Sequence, residues 1–514
     1  MSLLASIGGI LFGYDQGVIS GVLVMNNFVK NFPELANDTT LKGWAVSVLT
    51  LGAMFGAFAN GPIADHLSRR WSIALASVIF IIGSAVQAGA VNIAMIFVGR
   101  ACAGYAIGML SMVVPLYLSE LAPSNLRGAL VSLQQLGITL GIMISFWIDY
   151  GTAYIGGTGD GQSEAAWRLP LALQCLPALI LGIGTLFLPY SPRWLMLKDR
   201  EEEAVMVLTR MRRVPADDWR LQREILEIKA ASVFDNETMA ERYSGVSNFR
   251  VMVSQYTELF VQRHLNRRLL IACLLQIIQQ FTGINAIIYY APTIFQSIGL
   301  SGNSVDLLAT GVVGIIDFVS TIPAIMFLDR WGRKGVLLSG AVGMGICQLI
   351  VGTLYAVYEN SWDDHKGAGW AAAVFIWLYI ASFAYSIGCV NWIMPSELFP
   401  PANRAKAVGV AIGTNWLSNF IVGLITPRML ASIRYGTFFF FLAFCVILFV
   451  WVYFFVPETR GVRIEEMDNL FGGSQGEADI QRMEAIRRRL GLDNPSEPED
   501  KATEVHEEHV DKTF

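Results

Sequence analysis

Asp15, Arg100 and Asp317 are ionisable side chains set well inside long apolar runs of the chain. A charge at the centre of a membrane helix costs about 2.5–3.5 kcal/mol on insertion scales, so each demands a partner or a function. Counted from the same membrane side at 1.5 Å per residue, Asp15 and Arg100 lie roughly 15 and 10 Å deep, and their side chains can meet. An adjacent arginine favours the ionised acid while burial opposes it, so such an acid can take or lose a proton as its surroundings change. A static ion pair is the plainer alternative. The uncharged polar residues suggest different chemistry. Gln279, Gln280 and Asn285 fall within two helical turns near the middle of the seventh run, Gln135 lies in the fifth, Asn415 in the eleventh, and Trp392 toward one end of the tenth. A hydroxyl-rich solute such as a sugar needs several oriented hydrogen-bond partners and an aromatic face, and these residues supply both. Buried amides also join helices to one another, at about 0.6 kcal/mol each, which is the preferred reading for Asn419.

Other chemistries find little support. The five histidines (His66, His264, His365, His506 and His509) all fall outside the apolar runs, and no acid or cysteine cluster suggests catalysis or a metal. The six cysteines sit in apolar stretches without pair spacing, as small polarizable filler would. No GxxxxGK[ST] phosphate loop is present, which argues against ATP as the energy source. A net charge of -5 offers no basic surface to nucleic acid. The chain therefore reads as a non-enzyme, with no cofactor beyond a proton as coupling ion, a small-molecule solute and the lipid bilayer as partners, and a monomer as the functional unit.

The elements that must position these residues are membrane helices. Of the 514 residues, 54% are hydrophobic and only 15% charged, against about 25% charged in soluble proteins. The charge is crowded into short stretches between twelve apolar runs of about 20 residues, the length needed to cross a bilayer. The first run is Leu3–Val24 and the last Gly436–Val456. Backbone groups cannot stay unpaired in lipid, so the runs must be helices. The expected organisation is an all-α membrane protein of two six-helix bundles, residues 1–188 and 269–456. Residues 189–268 form a polar break with short amphipathic helices, signalled by Leu221, Ile225 and Ile228 and by the segment Glu201–Arg213. Residues 457–514 read as a largely disordered tail. Lysine and arginine crowd the loops after the second and eighth runs and the central break, which places those loops and both termini in the cytoplasm of a multi-pass plasma-membrane protein. The first loop then lies outside with its sequon Asn37-Asp38-Thr39, while Asn236-Glu237-Thr238 faces the cytoplasm. The opening run is too long for a signal peptide and reads as the first span.

The chain also repeats itself. Ser119-Glu120-Leu121-Ala122-Pro123 with Arg127 follows the fourth run, and Ser396-Glu397-Leu398-Phe399-Pro400 with Arg404 follows the tenth. Asp65, Arg69 and Arg70 after the second run correspond to Asp329, Arg333 and Lys334 after the eighth. Elements recurring six spans later on the same side suit two halves that rock about a central site. Asp65, Arg69, Glu120, Arg127, Asp329, Arg333, Glu397 and Arg404 are expected to form a cytoplasmic latch, with ion pairs between the halves that break as the inner side opens. Each exposed pair contributes about 0–1 kcal/mol, adequate for a latch between nearly equal states.

Further motifs extend the pattern: Gly13-Tyr14-Asp15, Gly99-Arg100, Pro189-Tyr190-Ser191-Pro192-Arg193-Trp194, Gln279-Gln280-Phe281-Thr282-Gly283-Ile284-Asn285 with Tyr289-Tyr290, and Pro457-Glu458-Thr459-Arg460-Gly461. In this order, from Gly8 to about Met467, the chain resembles the sugar porter family of the major facilitator superfamily, most closely its fungal monosaccharide carriers. The resemblance implies import of a monosaccharide by alternating access with proton symport. Gln135, Gln279, Gln280, Asn285, Asp317, Trp392 and Asn415 would contact the sugar, Asp15 and Arg100 would couple the proton, and Tyr289 and Tyr290 would form a gate, although aromatic residues also line span ends. Three departures stand out. Tyr190 replaces a glutamate, His66 and Ser68 interrupt the loop motif Asp-Arg-x-Gly-Arg-Arg, and Asp317 replaces an asparagine. A facilitative sugar carrier, a quinate or polyol carrier and a transporter-like nutrient sensor remain open.

Overall fold

The computed structural model describes residues 2–122, 127–157, 159–243, 248–300, 305–362, 364–399, 401–459 and 474–492. Every regular element among them is helical. In the first half of the chain these are α1 (Ser2–Val22), α2 (Thr39–Leu67), α3 (Arg69–Ala88), α4 (Ile93–Leu121), α5 (Arg127–Thr152) and a sixth span broken into α6 (Ala165–Leu173) and α7 (Cys175–Gly184). The polar break contributes α8 (Glu201–Arg212) and α9 (Trp219–Tyr243). The second half has a broken seventh span, α10 (Arg263–Phe281) and α11 (Ile284–Ser297), then α12 (Val305–Trp331) and α13 (Arg333–Tyr358). A broken tenth span follows, α14 (Lys366–Tyr385) and α15 (Ile387–Leu398), then α16 (Pro401–Ser432) and α17 (Gly436–Phe455). Among the described residues, ten spans are long and apolar enough to cross a membrane by composition. With α1 and α5 the molecule has the twelve transmembrane helices of a major facilitator fold, and the breaks in the sixth, seventh and tenth were not anticipated.

Small residues set the packing. Gly9, Gly13, Gly17 and Gly21 form a stripe along α1 that lies on α5, and a Cβ at Gly13 would stand 1.8 Å from the Ile138 carbonyl oxygen. Close backbone approach of this kind drives helix association where lipid removes the hydrophobic incentive. The two halves meet in the same way. Gly43 of α2 faces the Leu424 carbonyl of α16, and Gly314 of α12 faces Met143 of α5. The second and eleventh spans map onto the eighth and fifth by a shift of six, so these two contacts are equivalents under the internal repeat. Phe55, Ile82, Ile183, Met326, Ile346 and Phe454 lie exposed along the spans, as side chains facing lipid should.

Residues Met1–Ser191 and Met252–Phe471 form one compact unit, and Pro192–Val251 with Gly472–Phe514 another. Within the second unit Leu221, Ile225, Ala230 and Phe234 bury one face of α9, and Arg212 bonds Glu224 at 2.6 Å. The segment Ser474–Arg489, expected to lack structure, is helix α18. It packs on α9, buries Ile486 and pairs Arg489 with Glu237 at 2.6 Å. Among the described side chains one apolar anchor, Ile486, and charge pairing hold it, which mean polarity alone does not reveal.

Candidate functional site

The seventh span breaks at Thr282–Gly283, where Gly283 adopts φ +100°, open to glycine and strained for other residues. A Cβ there would also meet the Phe441 ring at 2.7 Å. The break leaves the Thr282 carbonyl without a helical donor, and two side chains satisfy it: Tyr379 Oη at 2.9 Å and Gln348 Nε2 at 3.3 Å. Irregular backbone survives at membrane depth because it is buried in protein.

The break brings Gln279 and Gln280, at the end of α10, beside Asn285 in the first turn of α11. Asn285 Nδ2 donates to Gln280 Oε1 at 2.5 Å, and Gln280 Nε2 donates to Asn415 Oδ1 at 3.1 Å. Asn415 Nδ2 donates in turn to Gln279 Oε1 at 2.9 Å and to Gln276 Oε1 at 2.7 Å. Asn391 Nδ2 donates to Gln276 Oε1 at 2.5 Å and also to Gln279 Oε1, while Asn391 Oδ1 is buried with no donor. Six buried amides from α10, α11, α15 and α16 thus share one network. Gln276 and Asn391 were missed from the sequence. The signal for Gln276 was its position one turn before Gln279 and Gln280, and that for Asn391 its place beside Trp392.

An aromatic group adjoins this network. Trp392, partly exposed, packs edge-on to Phe12 of α1, with ring centres 6.3 Å apart, and Phe12 lies 4.9 Å from Trp416. Trp416 Nε1 donates to Ser111 Oγ of α4 at 3.2 Å, so the aromatic group bridges the two halves. Gln135 is buried on α5, and no hydrogen bond joins it to the amides among the described residues. Asp317 is buried on α12, within the electrostatic reach of Cys389 on α15, and its Oδ1 has no hydrogen-bond partner.

Asp15 and Arg100 do meet. Arg100 Nη1 stands 3.7 Å from Asp15 Oδ1, and both side chains are fully buried. Arg100 Nη2 donates to the Val46 carbonyl of α2 at 3.2 Å. Neither carboxylate oxygen of Asp15 has a hydrogen-bond partner, so the pair is in electrostatic contact without being locked. At the next residue of α1, Gln16 Nε2 donates to Tyr289 Oη at 2.9 Å and Tyr289 Oη donates to Asn419 Oδ1 at 3.1 Å. Tyr290 Oη donates to the Gly423 carbonyl at 2.7 Å. Both tyrosines are 1% exposed, and the chain Gln16–Tyr289–Asn419 ties α1 to α11 and α16 across the halves. A further buried acid, Asp149 of α5, escaped the sequence reading because it lies one residue from the expected end of its span.

The described ion pairs of the loop motifs fall within the halves, where pairs between the halves were expected. Arg69 bonds Asp65 at 3.0 Å and Glu120 at 3.1 Å, all within the first half. Arg333 bonds Glu397 at 2.8 Å within the second. The described pairs therefore brace each half and do not run between halves. The reason is local: each arginine opens the helix after a short loop, against the end of a neighbouring helix of its own bundle. The side chains of Arg127, Asp329 and Arg404 lie outside the described residues. The two loops also share backbone geometry. Ser68 (φ 85°, ψ 159°) and Gly332 (φ 81°, ψ 153°) occupy the same region. In the second half Glu458 accepts from the backbone N–H of Arg333 and Lys334 at 2.9 and 3.0 Å. In the first half Tyr190 stands there instead, accepts from Trp71 Nε1 at 3.1 Å, and lies 5.3 Å under the Arg70 guanidinium. No group of three or more His, Cys, Asp or Glu side chains is placed to hold a metal among the described residues.

Residues 1–471 match the family described as sugar (and other) transporter. The chain is 36% identical to the "Probable quinate permease" of Aspergillus niger over 482 residues, 92% of this chain and 87% of that protein. It is 34% identical to the protein of the same description from Aspergillus fumigatus, over 92% of this chain and 86% of that one. Among solved structures it is similar to the major facilitator superfamily proton:xylose symporter XylE bound to 6-bromo-6-deoxy-D-glucose, with a TM-score of 0.74 and 30% identity over 91% of this chain and 98% of that one. It is also similar to the inward open conformation of XylE from E. coli, with a TM-score of 0.70 and 29% identity over 91% of this chain and 98% of that one.

Proposed function

The chain belongs to the sugar (and other) transporter family, and from that premise we propose that it imports a neutral monosaccharide by proton symport. The observation that carries the substrate reading is the amide network at the break in the seventh span. Each amide offers a carbonyl acceptor and two N–H donors, and a sugar hydroxyl can both donate and accept. Amides that now bond one another can exchange those bonds for hydroxyls at small net cost, and Asn391 Oδ1 already stands without a donor. Trp392 is positioned for the apolar face of a pyranose ring. Gln135 and Asp317 approach from α5 and α12.

A neutral solute suits Asp317 better than an anion does. A hydroxyl donates to its open Oδ1, whereas a carboxylate would meet a second acid with no cation in the amide network to offset it. Quinate is the second reading, favoured by the description of the two Aspergillus relatives. Proton symport is ascribed to XylE among the similar structures. In this chain the support is Asp15, whose contact with Arg100 lacks a hydrogen bond and so parts easily when the acid takes a proton. With Asp15 neutral, Arg100 turns to other partners and α1 closes over the sugar. Inside, sugar leaves, the proton follows, and the pair re-forms. A plasma-membrane location, cytoplasmic termini and a monomeric functional unit complete the reading.

Counterflow into vesicles holding only this protein, across hexoses, pentoses, polyols and quinate, tests the substrate class and separates carrier from sensor. The expected result is exchange of one or more neutral monosaccharides, with an altered panel for Asp317→Asn. Exchange of quinate alone would overturn the neutral-sugar reading, and no exchange of any member would favour a sensor.

A further inference from the structure

Asp149 is a buried acid of the first half with no ion-pair partner among the described residues. It is 1% exposed, and neither Oδ1 nor Oδ2 has a hydrogen-bond partner. Its carboxyl lies against α1 at Gly21, where a Cβ would stand 2.4 Å from Oδ2. The backbone beside it is in order: the Asp149 carbonyl accepts from Ala153 N–H at 3.0 Å and from Thr152 Oγ1 at 3.3 Å. The open valence therefore belongs to the side chain.

The neighbouring elements offer it no cation. From α1 it is faced by Tyr14, which lies in the field of both Asp149 and Asp15 and donates its hydroxyl to the Pro170 carbonyl at 3.0 Å. Arg100 of α4 is engaged by Asp15 and the Val46 carbonyl. Arg168 of α6 is engaged by Glu164 at 3.0 Å and the Ala88 carbonyl at 2.9 Å. On α12 the acids are Asp306, which accepts from Gln296 at 2.6 Å, Asp317 and Asp329, the last standing with Arg330 at the far end of that helix. The charged residue of α15 is Glu397, held by Arg333. An ionised carboxylate in this position would lose its hydration and gain only the nearby Gly21 backbone N–H, with no positive charge in return. The neutral acid forgoes far less.

We infer that Asp149 is a second proton-binding carboxyl of this transporter, neutral while α1 lies on α5. Two acids then bracket one helix with opposite charge states. Asp15 belongs to α1 and faces Arg100, and Asp149 faces Gly21 of the same helix, six residues or about 9 Å further along. Any movement of α1 on its glycine stripe changes the surroundings of both. The inference takes from the proposed function only that α1 moves, and it holds whether or not Asp15 couples transport.

The test is attenuated-total-reflection infrared spectroscopy of the full chain in lipid vesicles at neutral pH, where an exposed aspartate, with an ordinary pKa of about 3.9, is ionised. Protonated carboxyl groups absorb apart from carboxylates. The expected result is a protonated-carboxyl component that Asp149→Asn abolishes and that Asp15→Asn and Asp317→Asn both retain. An identical component in wild type and Asp149→Asn overturns the inference. If the asparagine variant does not fold, Asp149→Glu serves: a component that shifts in frequency supports the assignment, and one that does not overturns it. Sugar transport without proton movement would defeat coupling at Asp15 and leave the infrared result unaffected, so the two failures are distinguishable.

Discussion

Gln280 shares its amide between two neighbours, Asn415 and Asn285, on either side of the break in the seventh span. Truncation removes both bonds and strands part of each partner. A buried hydrogen bond is worth about 0.5–1.5 kcal/mol, so Gln280→Ala is expected to weaken sugar binding about 2- to 13-fold with expression retained. Isothermal titration calorimetry reads this directly, and unchanged affinity would remove Gln280 from the site. At this scale much was legible in the sequence. A polar side chain in an apolar run is conspicuous, and Asp15, Arg100, Asp317, Gln279, Gln280 and Asn285 were all found that way. Gln276, Asn391 and Asp149 were not. Gln276 and Asn391 become part of the network through partners more than 100 positions away, and Asp149 becomes conspicuous once burial shows that water does not reach it.

Ser68 and Tyr190 belong together at the scale of the elements. Ser68 sits at φ 85° and ψ 159°, a region that only glycine occupies readily and that strains other residues by about 1–3 kcal/mol. Its counterpart is Gly332, where a Cβ would meet Glu458 Oε2 at 2.7 Å. With Tyr190 in place of a glutamate, that collision is absent in the first half. Ser68 Oγ instead accepts from the Trp71 backbone N–H at 3.5 Å, a task that Glu458 performs for α13. Relief of the strain less the entropy of a glycine, about 0.5–1 kcal/mol, leaves a net gain of about 1 kcal/mol for Ser68→Gly. Its Tm in detergent should rise, and Tyr190→Glu should lower Tm less in that background than in wild type, because residues in contact are not additive. A fall in Tm for Ser68→Gly would contradict this account. The existence and order of the spans were evident from hydropathy. Their breaks were not, because Gly283 and Ser386 lie inside runs whose hydropathy continues on both sides, and the carbonyl freed at Thr282 is satisfied by side chains of other helices.

For the whole molecule, the two halves touch through equivalent glycine contacts of the second span with the eleventh and the fifth with the eighth. The ion pairs of the loop motifs among the described residues brace each half from within. Among the described residues, the side-chain hydrogen bonds that cross between halves are Gln16–Tyr289, Lys42–Thr293 and Trp416–Ser111. Rocking of one half on the other then requires breaking few strong bonds, as alternating access demands. The repeat was readable from the loop motifs, whereas the partners of their arginines were not, since spacing along the chain does not say which helix end lies nearest. The coupling of this movement to protons is the central claim, and sugar-induced proton uptake by vesicles measures it most directly. With the best sugar of the counterflow panel, wild type is expected to take up protons with sugar. Asp15→Asn, fixed in the neutral form, is expected to take up none while downhill exchange stays measurable. Wild-type sugar transport with no proton movement would contradict the claim and make Asp15 and Arg100 a structural pair in a facilitative carrier.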